Sequence, residues 1–194
     1  EQVLAAILYP FATQDHAGLL ETVRRMPPEA RDEVLEAFFS RREKFDWPLR
    51  ALEHVALQME MEMDYGAWRD VQRHRMATLT EQPTTCCLGY DTPEEMEAAG
   101  LGSDYRPAMD AARALHNTLV HEGLNTVAPY VVAQGFRKRV LVSWNLRELE
   151  HFVRLRSGRQ GHIAYRRVAQ LVHGQLQQHA PRLARFFACD HDDY

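Results

Sequence analysis

The chain has 194 residues, 45% hydrophobic and 26% charged, which suits one globular domain or at most two small ones with a core of their own. That composition excludes a disordered tract, a collagen and a small disulfide scaffold, and no run approaches the about 20 consecutive apolar residues of a membrane span. With 23 basic and 27 acidic side chains the formal charge is -4; there is no overall basic field to gather nucleic acid, so any anion must be held locally.

The first residues, Glu1 to Tyr9, lack the basic region and small-residue cleavage site of a signal peptide. The absence of a starting Met fits a piece of a longer protein. Pro27-Pro28 opens a helix expected over about Pro28 to Glu43, with Val34, Leu35, Phe38 and Phe39 as its apolar stripe. Asp46-Trp47-Pro48 breaks it, and a short helix follows over Leu49 to His54. Leu57 to Asp64 then alternates apolar and polar without a slip, the pattern of a strand with one wet face. Tyr65-Gly66 is read as a turn, Ala67 to Arg75 as a helix and Thr78 to Pro93 as a loop.

A long helix is expected over Pro107 to Glu122, with Ala108, Ala112, Leu115 and Leu119 inward and Gly123 closing it. Phe136 to Trp144 reads as a strand. Asn145 to Arg156 reads as a helix burying Leu149, Phe152 and Val153. Ser157 to Gly161 interrupts, and Tyr165, Val168, Ala169, Val172 and Leu176 mark a last helix. The fold class is α+β, mostly helical with a small sheet.

Two basic groups stand out. In Arg73-His74-Arg75, residues 73 and 75 would point about 200° apart on a regular helix, so either the helix stops there or two different anions are served. A plain reading is a solvated basic helix end favoured by the helix dipole. In the second group Arg147, His151 and Arg154 share one helical face and Asn145 and Arg156 another. Its plain reading is a solvated face with pairs such as Glu150 and Arg154.

No metal site is expected. Glu148-x-x-His151 has di-iron spacing without the second motif such a site needs. Cys189-Asp190-His191-Asp192-Asp193 carries ligand types but reads as a solvated terminal tail. There is no phosphate-cradling glycine loop and no Gly-x-Ser-x-Gly elbow. Cys86 and Cys87 are adjacent, which disfavours a disulfide between them; with Cys189 they make an odd count, and the natural compartment is a reducing cytoplasm.

Glu53-His54 before a strand, Arg73-His74-Arg75-Met76-Ala77-Thr78 with Glu81 six residues beyond Arg75, Asn145-x-Arg147 and Leu155-Arg156 together resemble the flavin-dependent thymidylate synthases, over about residues 50 to 175. The resemblance implies a single thymidylate synthase-like domain over residues 1 to 194, assembled as a homotetramer with FAD where subunits meet. It implies reductive methylation of dUMP or a related uridine nucleotide to dTMP with NADPH and methylenetetrahydrofolate as co-substrates; the charge and hydropathy for their part make neither nucleic acid nor membrane an expected partner. Carried over, Arg73, His74 and Arg75 hold FAD, with Arg73 also near the nucleotide. His54, Glu81, Asn145, Arg147 and His151 line the flavin and nucleotide sites, although the family more often has Asn where His151 stands. Arg156 sits beside the pyrimidine; Arg73 and Arg156 are the catalytic candidates.

Three positions depart from the family. Its nucleotide-binding loop serine falls on Pro83, a loop arginine on Thr85 and another arginine on Pro129. Losing two charge-assisted contacts of about 1.5–3 kcal/mol each weakens a phosphate-bearing nucleotide by roughly two to four orders of magnitude. Family chains that carry two copies of the domain exist, and this sequence resembles a divergent copy. The alternatives are therefore a domain that holds FAD or an oligomer together without catalysis, and a flavoenzyme acting on a different ligand. Cys86 and Cys87 are read as inert thiols.

Overall fold

The computed structural model describes residues 1–43 and 46–192. The protein is α+β, with nine α-helices among the described residues and one three-stranded antiparallel sheet. The strands are β1 (Ala56–Asp64), β2 (Thr78–Glu81) and β3 (Arg137–Asn145), in the order β1-β3-β2, so β3 is central. Two compact units are distinguished. The first comprises 1–58, 76–78 and 143–194, the second 59–75 and 79–142.

In the first unit the helices are α1 (Gln2–Leu8), α2 (His16–Arg25), α3 (Pro28–Phe39), α7 (Leu146–Arg156), α8 (Ile163–His179) and α9 (Pro181–Ala184), with a 3-10 turn over Arg50–His54. Their starts are written in side chains. Asp15 accepts from the Gly18 N–H at 2.8 Å to cap α2, Asn145 from Glu148 N–H at 2.9 Å to cap α7, and the His162 ring from Ala164 N–H at 3.2 Å to cap α8. Pro28 opens α3, where its missing N–H costs nothing. The core includes Val23, Leu52, Leu149, Phe152 and Val153, each 0% exposed. Trp144 lies against Phe152 with ring centroids 4.6 Å apart, and Phe39 stacks on Phe186 at 4.5 Å.

The second unit holds the larger part of β1 and β3, then α4 (Tyr65–Val71), α5 (Glu94–Ala98), α6 (Gly102–His121) and a 3-10 turn over Ala128–Val131. Cys86, Met109 and Phe136 form a buried cluster flanked by Tyr90, Tyr105, Ala112 and Val132. Tyr90 meets both Phe136 and Tyr105 edge-on. Gly123 adopts φ +76°, the left-handed conformation that lets the chain leave α6.

Several sequence expectations are corrected. Tyr65-Gly66 is the first turn of α4 rather than a free turn, because Asp64 caps it by accepting from Ala67 N–H at 2.7 Å. The loop expected at Thr78 to Pro93 begins with β2, which pairs beside β3. Helix α3 stops at Phe39, short of Glu43. On α6 the buried residues are Gly102, Met109 and His116; of the expected stripe Ala112 packs on the buried cluster and Leu119 is half-buried, whereas Leu115 is 49% exposed.

Candidate functional site

The first basic group lies in the second unit, immediately after α4. The helix ends at Val71, and the next hydrogen bonds tighten: Arg73 N–H to Asp70 O, His74 N–H to Val71 O and Arg75 N–H to Arg73 O. The stopped helix is thus the correct branch of the sequence reading. The tight turn buries His74 to 5% exposure and leaves Arg73 and Arg75 exposed on either side of it. Arg73 has one carboxylate nearby, Asp70 at 3.8 Å, and its side chain is 69% exposed.

Glu81, at the end of β2, is held within the same unit. Its carboxylate accepts from Trp68 Nε1 at 3.1 Å and from Lys138 Nζ at 2.8 Å. Lys138 is 4% exposed, also donates to Thr84 Oγ1 at 2.8 Å and lies 5.5 Å from the Tyr65 ring. Sequence reasoning missed Lys138. The signal was there: it shares strand parity with Val140, Val142 and Trp144, all fully buried, so a lone ammonium stands at a core position of β3 and requires a partner.

The loop positions singled out in the sequence, Pro83, Thr85 and Pro129, carry no charge of their own. Pro83 is exposed, and Thr85 spends its hydroxyl accepting from the Cys87 N–H at 3.2 Å. Pro129 occupies the first turn of the 3-10 segment Ala128–Val131 and is exposed. In the same unit Cys86 is 1% exposed, and burial pushes its thiol up to about 11. At neutral pH it is protonated and a poor nucleophile.

The second basic group lies in the first unit. Arg147 donates from Nη1 to Glu53 Oε1 at 2.7 Å and from Nε to Pro48 O at 2.8 Å, tying α7 to the segment before β1. Glu53 also receives Arg50, which with Arg147 holds its carboxyl below the usual carboxylate range. Asn145 uses its side-chain oxygen as the α7 cap. His54, at the end of the 3-10 turn, is exposed.

Further along α7 the His151 ring lies 5.0 Å from Trp47, and the Arg154 guanidinium 5.5 Å from the same indole. Arg154 also approaches Glu150 at 3.8 Å, the pair that the spacing suggested. Arg156 is half-buried, with its guanidinium 5.2 Å from the Tyr165 ring. The structure thus brings Arg73, His74 and Arg75 together on one turn of the second unit, with Glu81 on β2 of that unit. In the first unit it places His54 on the 3-10 turn, Asn145 at the end of β3 as the cap of α7, and Arg147, His151 and Arg156 on α7.

A family model described as thymidylate synthase complementing protein, Thy1, matches residues 5–182. The chain belongs to this family. Its curated relatives include a UPF0159 protein of Thermoplasma acidophilum, 30% identical over 95% of this chain, and a UPF0159 protein of Chlamydia muridarum, 32% identical over 95%. The chain covers 37% and 35% of these two relatives, so it spans little more than a third of their length. Among the described residues, no helix of this Thy1 chain is long and apolar enough to cross a membrane.

Proposed function

We propose that this Thy1 chain is a flavin-binding domain of the thymidylate synthase type, carrying one copy of the domain in residues 1–194 and working as an oligomer. The observation that carries the reading is the turn after α4, where a buried His74 separates two exposed guanidiniums. That donor set fits FAD, whose diphosphate needs planar, permanently charged donors that can approach from two directions. A cation kept in water until the ligand arrives gains more from a diphosphate than one already buried in an ion pair.

Arg73 and Arg75 would hold the diphosphate, and His74 would fix the turn from below. In the first unit Arg147 and Asn145 would contribute their remaining donors, with His54 and His151 beside them, while Glu81 would be oriented by Lys138 and Trp68. Arg156, steadied by Tyr165, would face the pyrimidine of a uridine nucleotide, and Arg73 would have a second duty toward a nucleotide. When bound, the flavin supplies the reducing equivalents that NADPH delivers for transfer of a one-carbon unit from methylenetetrahydrofolate. The oligomer is supported by apolar side chains left in water in the second unit, among them Leu115, Leu124, Val127 and Tyr130, the last 88% exposed.

A second reading is favoured by Pro83, Thr85 and Pro129. With neither loop arginine present, the domain would hold flavin or the assembly while another copy of the domain carries out catalysis. The expected result is a yellow protein that loses its flavin band in Arg75→Ala while its far-ultraviolet circular dichroism is unchanged. Full flavin occupancy in that variant removes the proposed site. NADPH oxidation stimulated by dUMP selects the enzyme, and flavin binding without any dUMP-dependent rise in melting temperature selects the non-catalytic domain.

A further inference from the structure

The segment after α9 is not a solvated tail through residue 192. Asp190 N–H donates to Ser157 Oγ at 2.9 Å, and Gln170 Nε2 donates to Asp190 O at 3.1 Å. Arg166, 1% exposed, donates from Nη2 to Asp192 O at 2.5 Å and from Nε to Ser157 O at 2.9 Å. These bonds lay Cys189 and His191 against α8 within the first unit; Asp193 of the same motif lies outside the described residues.

On α8 the facing side chain is His173, which is 4% exposed. One of its nitrogens, Nε2, is 3.2 Å from the Ala184 carbonyl oxygen. A carbonyl only accepts, so Nε2 carries the proton and Nδ1 carries the lone pair. Nδ1 is buried and has no hydrogen-bond partner. A buried acceptor without a donor is costly in an apolar setting, and a metal ion is a natural occupant of that lone pair. The Ala184 carbonyl supplies the outer partner that metal-bound histidines usually have.

His173, Cys189 and His191 each offer one ligand atom, and the three atoms lie within 4.8 Å of one another. The His173 and His191 rings are 5.2 Å apart, centre to centre. We propose that His173, Cys189 and His191 bind a zinc-class divalent cation that clips the C-terminal segment to α8. One thiolate and two imidazoles are a borderline-soft set suited to Zn(II) rather than to magnesium or calcium. With metal–nitrogen bonds of about 2.0–2.1 Å and a metal–sulfur bond of about 2.3 Å, tetrahedral ligands stand roughly 3.4–3.6 Å apart. The cluster therefore needs to close by about 1 Å, and His191, the exposed member, has the freedom to do so. Three protein ligands leave the fourth position to water. On binding, the Cys189 thiol loses its proton to solvent as the sulfur–metal bond forms, and the metal keeps its oxidation state.

The test uses the full chain. It is stripped with a chelator and titrated with Co(II) as the optical probe for a thiolate-bound tetrahedral site, then with Zn(II) while the melting temperature is followed. The expected result is one equivalent of Co(II) giving a sulfur-to-cobalt charge-transfer band in the near ultraviolet. Zn(II) should displace it and raise the melting temperature. Cys189→Ser should abolish the band, and His191→Ala should weaken Co(II) binding by at least 100-fold. Neither side chain is part of the buried core, so both variants should keep the fold by circular dichroism. His173→Asn, which risks the packing of α8, is a third arm only. A wild-type chain that takes up no Co(II) at 100 µM, or a band of full strength in Cys189→Ser, overturns the proposal. The readout is independent of flavin, so its failure leaves the flavin reading standing.

Discussion

The carboxylate of Glu150 is 1% exposed and receives the Arg42 guanidinium at 2.6 Å, while Arg154 stands 3.8 Å away and the second carboxylate oxygen has no hydrogen-bond partner. Removing one member of such a pair leaves a buried charge that water cannot reach. Arg42→Met should therefore lower the stability of the first unit by about 3 kcal/mol, read as the shift of a urea unfolding midpoint. Arg42→Met together with Glu150→Leu should recover most of that loss, because an apolar pair of similar volume needs no partner. The cysteines give a second prediction. Cys87 is exposed and should be alkylated by iodoacetamide at pH 8, whereas Cys86, 1% exposed and titrating at about 11, should be protected until the protein unfolds. The unfolded thiol ionises near 9.0, so this group's contribution to stability is complete below that pH and falls as the pH rises from there toward 11. Mass spectrometry of the labelled peptide checks both points, and equal labelling of the two residues would exclude the buried thiol.

Helix α7 joins the two duties of a structural element most closely. Its cap is the Asn145 oxygen, and its first turn carries Arg147, paired to Glu53. Asn145→Ala should lower the melting temperature by about 2–4 °C, the equivalent of about 1 kcal/mol for a lost cap in a chain of this size. Asn145→Asp keeps the acceptor and should keep the stability; if it also loses flavin, the amide N–H group rather than the cap holds the ligand. The elements whose periodicity is clean were legible in advance. Leu57 to Asp64 alternates in sequence and alternates in exposure along β1, and Leu149, Phe152 and Val153 on α7 are fully buried as expected. Strand β2 was hidden because it is four residues long and mostly exposed, so its pairing beside β3 rather than any apolar pattern makes it a strand. Helix α6 was read only in part: Ala112 packs on the buried cluster as expected, but Ala and Leu populate several faces, and His116, a polar side chain that reads as outward, is buried where Leu115 is exposed.

For the molecule as a whole, the proposed function and the exposed apolar residues of the second unit make an assembly larger than a monomer the expected outcome. Sedimentation velocity at 20 µM should give an oligomer, and a monomer at that concentration would remove the shared-flavin arrangement. Apart from Lys138, the basic residues of the candidate site were visible in the sequence, but their pairings were not. Glu53 reaches Arg147 across 94 residues and Lys138 reaches Thr84 across 54; such pairings follow from the path of the chain and leave no local mark. The Cys189 to Asp192 segment was misjudged for the same reason, since its anchors Ser157, Arg166 and Gln170 lie well upstream. The chain passes between the two units at 58–59, 75–76, 78–79 and 142–143, so neither unit corresponds to one uninterrupted stretch of polypeptide. Simple truncation from either terminus yields an incomplete piece of at least one of them. Dissecting their separate duties calls for co-expressed complementary fragments or a circularly permuted gene, and a protease nick within 79–142 should leave the two fragments associated until denaturant is added, because 1–58 and 143–194 belong to one unit.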